Sequence, residues 1–234
     1  MESEQNSLEQ STKDSIVAIL KEKSAIKQLV YDNAFEMFAV LKDALHELIN
    51  DINDEIFDTD RRIKLDYRDR GKFEAEAKIA EDILIFTMHS NVFEFDRDHL
   101  VWKTSYVQKN RLNSYCGIIS IYNFLADSFK YNRTNDLGYL IGRIFINHEK
   151  HFFVEGKRQM NCLNNFSTQV INETEIRSIL EKAIHYALHF DLLAPPYDAV
   201  KIATVEQVNA KIENGKLQTG KRLGFRFESD DILL

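Results

Sequence analysis

The sequence is poor in residues that interrupt or cross-link a chain. Only 2 prolines and 2 cysteines occur among 234 residues. So little proline favours long regular elements over irregular loops. The two cysteines, Cys116 and Cys162, require no disulfide framework. We expect both thiols to be reduced and structural, because nothing in the sequence indicates an oxidising compartment.

Targeting and membrane segments are also missing. No apolar run approaches the ~18 residues that a membrane span needs, and residues 1–10 lack the basic and apolar regions of a signal peptide. The formal net charge of −7 argues against a surface that coats nucleic acid nonspecifically, because that binding depends on Lys and Arg. We therefore predict a cytoplasmic protein with no membrane partner.

Signature motifs of several enzyme classes do not occur. The chain has no G-x-G-x-x-G, no G-x-x-x-x-G-K-[ST], no G-x-S-x-G and no C-x-x-C. These absences remove the usual signals for dinucleotide, nucleoside triphosphate, hydrolase and zinc-ribbon function. Function has to be sought in less specific patterns.

Hydrophobic periodicity predicts an α+β fold. Apolar residues at three- and four-residue steps predict a long first helix over residues 16–52 and amphipathic helices over 114–131 and 173–190. Alternation predicts a meander of strands within 62–95, and a hairpin from Leu137–Ile146 to His151–Val154. We expect an antiparallel or mixed sheet with the long N-terminal helix and the two further helices packed against it. Residues 1–12 are expected to form a disordered tail, and 13–234 a single domain.

The stretch HFFVEGKRQ at 151–159 places Glu155 and Lys157 two residues apart on the predicted hairpin, with Asp136 near the start of the preceding strand. This set resembles the motif of the PD-(D/E)xK metal-dependent nucleases. The resemblance implies that Asp136 and Glu155 hold Mg²⁺ and that Lys157 acts as the catalytic cation on a nucleic acid substrate. Hard oxygen ligands suit Mg²⁺, and a cation stabilises charge that develops on a phosphate.

Other interpretations of the same residue types stay open. Glu155 and Lys157 also fit an exposed cross-strand charge pair, since Asp66, Glu76 and Lys78 repeat the pattern on an alternating strand. Two histidine sets have metal-ligand chemistry but weaker spacing signals. They are His185 and His189 with Glu181, and His148 and His151 with Glu149.

Tyrosines are dense in the middle third of the chain. If Tyr115, Tyr122 and Tyr139 line a cleft, they suit a small ligand with a planar or polar ring. The leading prediction is therefore a small-ligand-binding or partner-binding regulatory module, with the Mg²⁺-dependent nuclease or phosphodiesterase as the alternative. A third possibility is an assembly scaffold, forming a homodimer through residues 16–52.

Overall fold

The computed structural model of the protein describes residues 2–58, 60–156, 166–191 and 196–206. The chain begins with an almost continuous helix: α1 (Glu2–Ile19), a π-helical segment (Leu20–Ser24) and α2 (Ala25–Glu55). The long helix predicted over residues 16–52 is therefore confirmed. Helix α1 also runs through residues 2–12, where composition predicted a loose tail. The division into a tail and one domain stays a prediction.

Within the described ranges, seven antiparallel strands form one sheet, ordered β1-β2-β3-β5-β6-β7, with β4 paired to the start of β5. The strands are β1 (Asp66–Asp69), β2 (Glu74–Ile79), β3 (Asp82–Met88), β4 (Phe93–Glu94), β5 (Tyr115–Leu125), β6 (Tyr139–Ile146) and β7 (Phe152–Gly156). The predicted meander corresponds to β1 to β4, and the predicted hairpin to β6 and β7. The α+β class is confirmed.

The remaining helices and turns connect or cover these strands. The 3₁₀ turns are Arg61–Ile63, Leu100–Lys103 and Arg111–Ser114, and the helices are α3 (Ser105–Lys109), α4 (Ala126–Lys130), α5 (Glu173–Leu188) and α6 (Tyr197–Val200). Helix α5 is one of the two further amphipathic helices that the sequence predicted. Its N-cap is Asn172, whose side chain accepts a hydrogen bond from the Glu175 backbone N–H at 2.9 Å.

The other predicted helix, over residues 114–131, is wrong. Most of that stretch is β5, which pairs with β3 on one side and β6 on the other. One face of β5 is buried and the other is half-buried, and both faces carry apolar residues, as the adjacent Ile118 and Ile119 show. Their spacing then fits a helix as well as a strand. The β-branched and aromatic content of the stretch favours a strand.

The main core lies between the sheet and helices α2 and α5. Buried side chains of α2 recur at three- and four-residue steps from Val30 to Ile49, and they pack on alternate residues such as Ile144 and Ile146 of β6. Phe145, between those two, faces a second apolar cluster on the other side of the sheet. That cluster consists of Val101, Val107, Cys116, Phe145, Phe153 and Phe166.

Helix α2 crosses β5 at one point of close approach. A Cβ placed on Gly117 would lie 2.4 Å from the Cβ of Ala34, so only glycine at this position lets the helix and the strand pack this closely. The contact fixes the first turns of α2 above the beginning of β5.

Among the described residues, none of the helices combines the length and apolarity that crossing a bilayer requires.

Candidate ligand-binding site

A cleft of about 500 Å³ lies where the start of α2 meets the turn between β3 and β4. It is lined by Lys27, Gln28 and Tyr31 from the helix and by Ser90, Asn91 and Val92 from the turn. Gln28, Ser90 and Asn91 are exposed, so the cleft opens to solvent. Its volume falls within the range of small-molecule sites, which runs from about 300 to 1,000 Å³.

Two lysines and a tyrosine lie beside this cleft. The Nζ atoms of Lys27 and Lys23 lie 5.1 Å and 5.4 Å from the centroid of the Tyr115 ring, within the range of a cation–π interaction. Tyr115 is buried at the beginning of β5, and its hydrogen bond with Lys23 raises the pKa of that ammonium group. Lys23 thus lies beside Tyr115, one helical turn before Lys27.

Lys23 belongs to the π-helical segment rather than to regular α-helix. Such segments frequently mark functional sites, because the extra residue per turn re-aims neighbouring side chains. Nearby, Glu94 pairs with Arg97, whose Nη2 lies 3.4 Å from the carboxylate. This acidic group is thus partly neutralised by its own neighbour.

Aromatic rings continue from the cleft along the same side of α2. Tyr31 stacks on Phe35 with ring centroids 6.2 Å apart, and Phe35 meets the ring of Phe73 edge-on at 6.4 Å. The Nζ atom of Lys72 lies 5.0 Å from the Phe35 ring centroid and 5.9 Å from that of Tyr31. The surface around the cleft therefore combines lysines with planar rings.

A buried hydrogen-bond network holds α2 against the β6–β7 loop. Asn33 Nδ2 donates to the backbone oxygens of Asn147, at 3.2 Å, and His148, at 2.8 Å. The fully buried Asn147 side chain accepts from the N–H groups of Glu149 and His151, each at 3.0 Å. Asn33 directly precedes Ala34, the residue that meets Gly117, so these bonds help to fix the helix that carries the cleft.

The structure does not bring Asp136 and Glu155 together. Glu155 lies opposite Arg143 in the β6–β7 register and accepts from its Nε at 2.8 Å. Tyr139 is already about 13 Å along β6 from Arg143, and Asp136 precedes it. There Asp136 accepts from Ser128 Oγ at 2.7 Å and pairs with Arg133 Nε at 2.9 Å.

These contacts match the cross-strand charge pair that the sequence left open for Glu155, with Arg143 as the partner. Lys157 lies outside the described residues, so its predicted catalytic role stays a prediction. Among the residues described, no group of three or more His, Cys, Asp or Glu side chains is placed to hold a metal ion.

The three tyrosines predicted to line one pocket lie apart. Tyr115 and Tyr122 are seven residues apart on β5, which separates them by about 23 Å and puts them on opposite faces of the sheet. Tyr139 lies on β6, with its ring centroid 5.7 Å from that of Phe190. Of the three, only Tyr115 lies beside the cleft.

The histidine sets occupy different places in the fold. His185 and His189 have ring centroids 4.1 Å apart at the end of α5, and His189 Nδ1 lies 2.8 Å from the His185 backbone oxygen. In the β6–β7 loop, the His151 ring lies 5.1 Å from that of Tyr106. Burial lowers the pKa of His148, which favours its neutral form.

Of the two cysteines, Cys116 lies within the described residues. Cys116 is free and fully buried, and burial raises the pKa of its thiol, so it is not a reactive nucleophile. Cys162 lies outside the described residues.

Sequence reasoning missed Lys27, Gln28, Ser90 and Asn91 as site residues. The helix residues lie on the polar flank of an amphipathic pattern, and Ser90 and Asn91 resemble an ordinary turn. Only packing of distant segments places them together.

Comparison of the chain with known proteins found no matching family model, curated protein or solved structure.

Proposed function

We propose that the protein is a binding module that takes a small anionic ligand with a planar ring. The observation that carries this proposal is the cleft of about 500 Å³ between Lys27, Gln28, Tyr31 and the turn at Ser90–Val92. Lys23 and Lys27 lie beside it and supply positive charge. The sequence also predicted ligand binding, but at Tyr115, Tyr122 and Tyr139. The proposed site consists of a different set of residues.

Each part of the cleft suits one part of such a ligand. The ammonium groups of Lys23 and Lys27 attract a phosphate or carboxylate group. Tyr31 offers a half-buried ring against which a planar group packs. Gln28, Ser90 and Asn91 carry amide and hydroxyl groups that donate and accept hydrogen bonds. Such polar groups fix a ligand's orientation in a site.

The test is a thermal-shift screen followed by titration calorimetry. Its probes are adenosine 5′-monophosphate, flavin mononucleotide, benzoate and inorganic phosphate. We expect at least one ring-bearing anion to raise the unfolding temperature, and phosphate alone to bind more weakly. Lys27→Ala should weaken binding of that probe about tenfold or more, because it removes a charge-assisted contact.

The matched control is Lys130→Ala. Lys130 Nζ lies 5.0 Å from the Tyr131 ring centroid, just beyond the far end of β5 from Tyr115, so the variant removes a similar lysine–tyrosine contact away from the cleft. It should leave the dissociation constant unchanged. Equal affinity in Lys27→Ala and the wild type would place the ligand elsewhere, and absence of binding by every probe would refute the proposal.

The nuclease and scaffold predictions are separate functions, and the cleft favours neither. A Mg²⁺- or Mn²⁺-dependent cleavage assay on DNA and RNA, comparing the wild type with Glu155→Gln, tests the first. We expect no cleavage that depends on Glu155, because that carboxylate is engaged by Arg143. Mg²⁺ would be assigned as a cofactor, and nucleic acid as a substrate, only if cleavage were found. The cytoplasmic location stays a prediction that fits a small-ligand sensor.

A further inference from the structure

The ammonium group of Lys72 lies close to three aromatic rings. Its Nζ atom is 5.0 Å from the ring centroid of Phe35, 5.1 Å from that of Phe73 and 5.9 Å from that of Tyr31. All three distances are within the ~6 Å at which the face of a ring attracts a cation. Tyr31, Phe35 and Phe73 therefore form an aromatic cage around one positive charge.

Two elements of the fold supply the rings of the aromatic cage. Tyr31 and Phe35 lie one turn apart on α2, with their ring planes only 4° from parallel. Phe73 directly precedes β2, and its ring is inclined by 68° to that of Phe35. The backbone oxygen of Phe73 accepts a hydrogen bond from the Met88 N–H at 2.9 Å. The third ring is thus held by the sheet and the other two by the helix.

The turn that carries Lys72 is also attached to α2. Lys42 Nζ donates to Asp69 Oδ1 at 2.7 Å and to the backbone oxygen of Gly71, and Gly71 adopts a φ of +106° that suits glycine. Lys72 itself is exposed, and Phe35 is 36% exposed. The aromatic cage is therefore open to solvent on the side from which Lys72 enters.

We infer that the aromatic cage binds a quaternary ammonium group, and that Lys72 occupies the cage when no ligand is present. The ammonium group of lysine is compact and strongly hydrated. A trimethylammonium group has the same charge behind an apolar surface of methyl groups, so it loses less hydration on entering a cage of rings. Such cages are a general means of recognising choline and methylated lysine. Cation–π contacts at exposed sites are weak, so a ligand can displace Lys72.

The test is titration calorimetry with choline and with 3,3-dimethyl-1-butanol, which has the shape of choline without its charge. Choline should bind weakly but saturably, and the uncharged compound about tenfold more weakly or less. Lys72→Ala should lower the dissociation constant for choline about threefold or more, because the competing cation is removed. Phe35→Leu should raise it about fivefold or more. A trimethyllysine peptide titrated in parallel distinguishes a group on a protein from one on a small molecule, by binding more tightly or more weakly than choline.

The matched control is a lysine that faces a single ring. Lys64 Nζ lies 5.2 Å from the ring centroid of Phe57, so Lys64→Ala and Phe57→Leu remove the same kind of contact without a cage. Both should leave the dissociation constant for choline unchanged. Circular dichroism verifies that Phe35→Leu keeps the fold of the wild type.

This inference is independent of the proposed anion cleft, although the two sites share Tyr31. Lys27→Ala should retain choline binding whether or not it loses the anionic ligand, so failure of one proposal is distinguishable from failure of the other. Three results would overturn the aromatic cage. They are absence of saturable choline binding by Lys72→Ala, equal affinity for the uncharged compound, and unchanged affinity in Phe35→Leu.

Discussion

At the scale of single residues, the amide of Asn147 is central to the β6–β7 loop. It is fully buried, accepts hydrogen bonds from two backbone N–H groups, and donates to the Tyr106 hydroxyl at 2.8 Å. Tyr106 in turn donates to Glu149, and burial raises the pKa of the Tyr106 hydroxyl, so it remains a donor. One side chain therefore forms hydrogen bonds with several partly buried groups of the loop.

Asn147→Ala should lower the free energy of unfolding by about 1 to 3 kcal/mol, because it leaves the partly buried N–H groups of Glu149 and His151 without their acceptor. Urea denaturation followed by circular dichroism measures this change. Asn50→Ala is the control, since Asn50 is exposed on α2, and it should alter stability by less than about 0.5 kcal/mol. Equal stability of the two variants would show that the network contributes little.

Loss of the ion pair between Arg143 and Glu155 should lower stability less than Asn147→Ala does. Their side chains are 39% and 42% exposed, and exposed pairs contribute at most about 1 kcal/mol. Glu155→Gln should therefore change the urea midpoint only slightly. A loss comparable to that of Asn147→Ala would mean that Glu155 has a larger structural role than its contacts indicate.

At the scale of elements, the position of the cleft depends on how closely α2 packs on β5. Gly117→Ala should destabilise the protein by about 1 to 3 kcal/mol, because the new methyl group overlaps the Ala34 Cβ. It should also weaken any ligand of the cleft, since Lys27 and Tyr31 move with the helix. Thermal unfolding and the calorimetric titration described above measure the two effects.

A second substitution distinguishes this cause from a general effect of alanine in a strand. Ala34→Gly removes the methyl group that Gly117→Ala would meet, although it costs the helix about 1 kcal/mol by itself. The double variant should then be more stable than the sum of the two single changes predicts. Additive losses would mean that the helix and the strand do not clash at this point.

At the scale of the whole molecule, histidine burial makes stability depend on pH. Burial lowers the pKa of both His99 and His148 in the folded state, so the unfolded chain binds protons more readily. Their contribution to stability is complete above the ordinary histidine pKa of about 6.5 and is lost as pH falls below it. The unfolding temperature should decrease from pH 7 to pH 5.

The variant His148→Gln should reduce this decrease, and His189→Gln, which changes an exposed histidine, should leave it as in the wild type. Differential scanning calorimetry at half-unit pH steps measures the profile. Identical profiles for the wild type and His148→Gln would exclude His148 as a contributor. The lowered pKa values of Asp60 and Asp69 make stability depend on pH in a more acidic range, below about 4.

The amino-acid sequence by itself determined the elements that bury one face. The stripe of α2, the amphipathic pattern of α5 and the β6–β7 hairpin follow from local spacing, because a half-buried helix or strand repeats its apolar residues at its own period. Even the charge-pair interpretation of Glu155 was available from alternation alone. Its partner Arg143 was not, because strand register is set by contacts across the hairpin.

Only the tertiary structure decided the identity of β5 and the place of the candidate site. Strand β5 carries apolar residues on both its buried and its half-buried face, so the apolar pattern of its sequence could not distinguish it from a helix. The cleft joins Lys27 of α2 to Asn91 of a turn far along the chain, and Gly117 lets the same helix pack closely on the sheet. Proximity of distant segments comes from packing, which local patterns do not encode.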